Sequence, residues 1–199
     1  MVTQKMEEIL SELVGKMEEA LDSLEGKLEV TTPVVKFKRI EGCDLELPTP
    51  ATERSAGMDL RYFFNPQDNT RFEVGSFVNI DALNAKKSTK IEPGKTAMLS
   101  CGFNIELPPG TVGMVCSRSG LAAKNGILVL NSPGIIDEDY RGELKIILHN
   151  TSNQHFTVTH GDRIAQLVVM SISPVKTEQA EALSSTDRGT GGFGSTGVK

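Results

Sequence analysis

The sequence predicts an all-β sandwich or barrel with a single helix in front of it. Three observations carry that prediction. Short segments alternate apolar and polar residues with period two, and Gly/Pro turns punctuate them at close intervals. Beyond position 28, no twelve-residue stretch places apolar residues at helical spacing.

The helix covers 3–28. Leu10, Met17 and Leu24 repeat every seven residues, as do Met6, Leu13 and Ala20. Ile9, Leu21 and Leu28 widen this seam. Gly15 and Gly26 weaken the helix by about 1 kcal/mol each relative to Ala. Thr31-Thr32-Pro33 ends it. A helix of this length is marginal alone, so it must pack on its own domain, on copies of itself, or on another protein.

Strand texture begins at Val34. Val35, Phe37 and Arg39 alternate with Val34, Lys36 and Lys38, and Phe103-Asn104-Ile105-Glu106-Leu107 repeats the pattern. Leu144 to Leu148 and Ile164 to Ile172 are short apolar runs rich in β-branched residues. Turns are expected at Glu92-Pro93-Gly94, Pro108-Pro109-Gly110, Ser132-Pro133-Gly134 and Gly161-Asp162. Residues 65–90 are polar and irregular, which suggests an inserted loop or a small excursion. The chain turns polar after Thr177, and Asp187 to Gly197 holds five glycines, a flexible arm. The organisation read from these shifts is a helix over 1–32, a β core over 33–180 with an insertion at 65–90, and an arm over 181–199.

Charge is distributed unevenly. The 199 residues carry a formal net charge of −5. Residues 1–29 hold eight acids and three lysines, and the remaining 18 basic and 18 acidic residues cancel. Such a body lacks the basic surface that grips polymeric nucleic acid. The three cysteines, Cys43, Cys101 and Cys116, form no Cys-x-x-Cys pair, so free thiols in a reducing compartment are expected rather than a zinc site. The first residues resemble neither a signal peptide nor a transit peptide, and no 18-residue apolar stretch occurs. The reading is a soluble, intracellular protein with no membrane attachment.

Several clusters could carry chemistry. Gly189, Gly191 and Gly194 match a dinucleotide-binding spacing, but the helix that must follow has no room. A P-loop also fails, because Ser195 stands where its lysine belongs. What remains is a set of exposed backbone donors at Gly192 and Gly194, the guanidinium of Arg188 for phosphate, and Phe193 to stack on a base. Ser117-Arg118-Ser119-Gly120 is a second phosphate-friendly cluster. Residues 134–142 place three acids and Tyr140 between two glycines, and Asp137 follows the apolar pair Ile135-Ile136, where a carboxylate can act as a base. His149, His155 and His160 show no metal spacing.

Taken together, these clusters resemble the five motifs of the trimeric deoxyuridine triphosphatases, in order. They are Ala56 to Arg61, Ser117 to Gly120, Asn131 to Gly142, Gly161-Asp162-Arg163-Ile164-Ala165-Gln166, and Arg188 to Gly197. The resemblance implies a jelly-roll-like subunit in a homotrimer, with active sites at subunit interfaces closed by a neighbour's arm. It implies hydrolysis of dUTP to dUMP and pyrophosphate, with Mg²⁺ held mainly by the triphosphate. Asp137 would be the general base for a water attacking the α-phosphorus. Gln166 would contact the phosphates or that water, and Asp59 would act near the ion or at the subunit interface. Arg118, Ser119, Gly120, Arg188 and Ser195 would hold phosphate oxygens. A hairpin at 129–140 would choose the base through Asn131, Gly134 and Ile136, with Tyr140 against the deoxyribose and Phe193 over the uracil. A dCTP deaminase of the same fold is the alternative, and it requires a catalytic glutamate within 137–148. A non-catalytic scaffold using the same body is the reading from another class. The resemblance leaves the N-terminal helix unexplained. The 59 residues from Asp59 to Arg118 exceed the family spacing by roughly twenty, which places an insertion between them and leaves its use equally unexplained.

Overall fold

The computed structural model describes residues 2–25, 32–65 and 87–192, with side chains of the first helix described at 4–6 and 9–21. The expected insertion therefore lies largely outside the described residues, as do Phe193, Gly194 and Ser195. Its last positions, however, are regular structure. Ser88–Ile91 is a strand, so the irregular segment ends before 88.

Helix α1 (Val2–Glu25) is followed by ten strands and one short helix among the described residues. Sheet A runs β1 (Lys36–Arg39), β4 (Thr96–Glu106), β8 (Glu143–Asn150), β6 (Ile127–Val129). Sheet B runs β2 (Gly57–Arg61), β10 (Arg163–Ser171), β5 (Thr111–Cys116), β7 (Gly134–Ile136). A ribbon pairs β3 (Ser88–Ile91) with β9 (Phe156–Thr159). All pairings are antiparallel.

The two sheets face each other across one core. Leu99, Ile146 and Leu148 from sheet A meet Leu60, Val115 and Leu167 from sheet B, each buried. Burial of one such side chain stabilises by about 1.5–3 kcal/mol. The alternation read in the sequence is the alternation of burial: Phe103, Ile105 and Leu107 point inward while Asn104 and Glu106 are half-buried. The expected turns at Gly94, Gly110 and Gly161 have φ of 69°, 72° and 87°, values that need glycine.

One expectation needs correction. The segment 129–140 is not a hairpin. β6 pairs with β8 and β7 pairs with β5, so residues 130–133 cross from sheet A to sheet B, through a cis Ser132–Pro133 bond. Both flanking strands alternate, with two buried residues around one exposed residue. That pattern suits a sandwich edge as well as a hairpin, which is why the sequence does not separate the two. A short helix, α2 (Ser119–Asn125), also follows Arg118. Only Leu121 of it packs on the core and none of its residues is fully buried, so seven residues show no amphipathic period.

Candidate functional site

The crossing strands leave a wedge between the sheets at their β6 and β7 edges. It holds a cavity of about 280 Å³. Asn131, Gly134, Ile136, Asp137 and Tyr140 all line it, so five of the sequence-predicted residues are gathered around one space. β8 supplies the floor through Leu144 and Ile146, both buried.

Two glycines make this geometry. A Cβ at buried Gly134 would stand 3.0 Å from Asn131 Nδ2, so any other residue there would push the amide aside by a few tenths of an ångström. A Cβ at Gly142 would collide with the Tyr140 ring. The ring therefore folds back over Gly142, and its hydroxyl donates to the Glu143 carbonyl at 2.8 Å. Tyr140 stays 42% exposed, leaving ring surface free for a ligand. Asp137 directly follows β7 and is exposed beside this cavity, and its carbonyl accepts from the Tyr140 amide at 3.1 Å.

The second group of predicted residues sits on the outer face of sheet B. Asp59, Gln166 and Cys116 are register neighbours across β2, β10 and β5, with core-facing Leu60, Ala165, Leu167 and Val115 beside them in the chain. Both Asp59 carboxylate oxygens are engaged: Oδ1 accepts from Arg118 Nε at 2.9 Å and Oδ2 from Arg163 Nη1 at 3.1 Å. Arg118 Nη1 also donates to the Arg163 carbonyl at 3.0 Å. Asp59 thus fixes two guanidiniums rather than standing free. Gln166 Nε2 donates to the Ser117 carbonyl at 3.1 Å, and a Cβ at Gly57 would stand 3.0 Å from Gln166 Oε1. Ser119 and Gly120 are exposed at the start of α2.

Ser117 joins the two groups. Its Oγ accepts from the Val129 amide at 2.9 Å, and its own amide donates to Ser132 Oγ at 3.3 Å. Arg163 and Ser117 fall within the sequence motifs, but the sequence assigns neither a role of its own. Their positions beside Asp162 and Arg118 were the available signal. The turn before Arg163 is itself tied down: Asp162 Oδ2 accepts from the Thr159 amide at 2.8 Å, and Arg61 Nη1 donates to the Gly161 carbonyl at 2.8 Å.

The described arm residues are not gathered with either group. Arg188 and Gly192 are exposed, and Arg188 Nε donates only within the arm, to the Gly191 carbonyl at 3.2 Å. Glu143 falls in the region where a deaminase needs its glutamate. Its carboxylate accepts from Ser100 Oγ and pairs with Lys145 at 3.2 Å. Buried Cys101 has its thiol pushed up, first by burial and then by Glu143 and Cys43, which makes it inert. Among the described residues no group of three His, Cys, Asp or Glu is placed to hold a metal ion, and no helix is long and apolar enough to cross a membrane.

A family model for dUTPase matches residues 81–197. The chain is 44% identical over 165 residues to the deoxyuridine 5′-triphosphate nucleotidohydrolase of Clostridium acetobutylicum, covering 83% of this chain and 97% of that one. It is 40% identical over 168 residues to the enzyme of the same name from Rhizobium leguminosarum bv. trifolii, covering 84% and 94%. Among solved structures, the dUTPase of Staphylococcus bacteriophage 80alpha with dUPNHPP superposes with a TM-score of 0.65 at 23% identity, over 84% of this chain and all of that one. A variant dUTPase from phage phi11 of S. aureus, described with a structural Mg(II) ion, gives 0.59 at 19% identity, over 76% and 99%.

Proposed function

The chain belongs to the dUTPase family, and from that premise we propose how its residues carry out the hydrolysis of dUTP to dUMP and pyrophosphate. This activity withdraws dUTP from DNA synthesis and supplies dUMP. The observation that carries the site assignment is the convergence of Asn131, Gly134, Ile136, Asp137 and Tyr140 on one cavity.

Uracil enters the wedge. Asn131 and the backbone around Gly134 and Ile136 meet its polar edge. Cytosine reverses donor and acceptor at position 4 and leaves buried groups unpaired, a loss of about 1–3 kcal/mol for each. The Tyr140 ring packs against the deoxyribose and leaves no room for a 2′-hydroxyl. Asp137, beside the cavity, orients and deprotonates the water that attacks the α-phosphorus in line. Arg118, fixed by Asp59, points a guanidinium at the phosphates, and Ser119, Gly120 and Gln166 add donors. Mg²⁺ held by the substrate's triphosphate would neutralise phosphate charge and favour departure of pyrophosphate.

The phosphate cluster does not line the base cavity within one chain. This supports a homotrimer in which one copy's cavity is completed by another's arginines. The outer face of sheet B continues from Gln166 into Val168, Met114 and Ile135, with Ile135 59% exposed, a surface suited to packing on a neighbour. Arg188, Gly192, Phe193, Gly194 and Ser195 then close as a lid over the bound nucleotide.

The test is Mg²⁺-dependent release of pyrophosphate from dUTP beside dCTP, dTTP and UTP. Only dUTP should turn over appreciably. Equal turnover of UTP would remove Tyr140 from its place as sugar wall.

A further inference from the structure

We propose that α1 closes against the same helix of two other copies, forming a parallel three-helix bundle that clamps the trimer. This rests on the trimeric reading above. In the heptad, Leu10, Met17 and Leu24 take position a, and Met6, Leu13 and Ala20 take position d. Val14 and Leu21 extend the stripe at e, and Ile9 extends it at g. That face is wider than a two-stranded seam needs.

The body of the same chain does not cover it. The seven described large apolar residues of this face, Met6 through Leu21, are 51–64% exposed. They run along a helix about 36 Å long. Together they offer on the order of 600 Å² of apolar surface per helix, or ~1,800 Å² over three, the size of a standard stable interface.

Charge selects the occupant. The segment's excess of acids would seem to oppose self-association. However, Glu18 and Glu25 take position b, Glu12 and Glu19 take c, and Glu8 and Asp22 take f. Only Glu7, at e, flanks the seam. The acids therefore face away from the bundle axis, where water and salt screen them. Lys16, at g, is already paired along its own helix with Glu12 at 2.7 Å. Gly15 takes the outward position f, so it does not interrupt the seam. A basic partner helix would instead need acids along e and g, where this sequence places Val14, Leu21 and Ile9.

Crosslinking of the full chain tests this, with sedimentation run alongside. Leu13→Cys puts a thiol at d and Glu18→Cys puts one at b, with the unaltered chain as the blank for its own three cysteines. Under glutathione disulfide, Leu13→Cys should yield at least ~10-fold more disulfide-linked dimer than Glu18→Cys, because of these two positions only d meets its copies across the axis. Leu10→Asp/Leu13→Asp should also make the trimer dissociate at ~10-fold higher concentration or more, with the body's β-sheet signal kept. A trimer in which neither or both positions crosslink overturns the bundle and leaves the trimeric reading standing. A full chain that sediments as a monomer overturns both.

Discussion

The base cavity and the phosphate cluster are built by opposite strategies. The cavity is internal to one chain. It lies between two sheets, over buried Leu144 and Ile146, and its shape is set by backbone: a crossing segment and two glycines that admit Asn131 and Tyr140. The phosphate cluster lies on an outer sheet face, and its shape is set by side-chain charge, with Asp59 spacing Arg118 and Arg163. In the described part of the arm that should complete it, Arg188 bonds locally, to the Gly191 carbonyl. On the proposed function, selection of the base is finished when one subunit folds, whereas catalysis waits for neighbours and substrate. Keeping the grip open avoids holding several phosphate ligands together without phosphate, a costly like-charge arrangement.

Substitutions can break this contrast, and the largest effect should fall at its boundary. Asp137→Asn should still bind dUTP, because the cavity is unchanged, yet turn over at least ~100-fold more slowly, the low end for losing a general base. Single-turnover rates and equilibrium binding of dUTP check this; near-normal turnover would remove Asp137 from that role. Deleting 187–199 should come next. The loss of Arg188 and its neighbouring donors should lower kcat/KM by about 10- to 100-fold, the worth of one or two charge-assisted bonds. Thermal unfolding should not move, since the described arm residues are exposed. An unfolding midpoint that fell with activity would mean the arm props the body instead.

Asp59→Asn should act on the same grip more gently. Asparagine keeps the shape but loses the charge that aligns both arginines. Arg118 and Asp59 are 25% and 28% exposed, so solvent screens the pair only in part. The expected result is roughly a tenfold rise in KM with kcat little changed. A fall in kcat at constant KM would place Asp59 in the chemical step.

What the sequence disclosed follows the same division. The strands were legible because core-facing alternation is periodic, and Phe103, Ile105 and Leu107 are buried as the period demands. The residues around the cavity were legible because they lie within one short stretch, 131–140. Their true connection was not: whether 130–133 turns back or crosses to another sheet depends on the partners β8 and β5, which are distant in sequence. Arg163 was passed over for a similar reason, since its carboxylate partner lies 104 positions away. Helix α2, seven residues long with only Leu121 packed on the core, shows no period to read.

Tyr140→Phe should give the smallest effect and the finest test of a backbone-built cavity. The lost hydroxyl gives up one exposed hydrogen bond to the Glu143 carbonyl, worth about 0.5–1.5 kcal/mol. The ring itself remains over Gly142, where no other residue would admit it. If ring position comes mainly from that close approach, KM for dUTP should rise only a few-fold and the preference over UTP should survive. Paired measurements of kcat/KM for dUTP and UTP decide it. A collapse of sugar discrimination in Tyr140→Phe would show that the hydroxyl, not the glycine beneath the ring, fixes the wall.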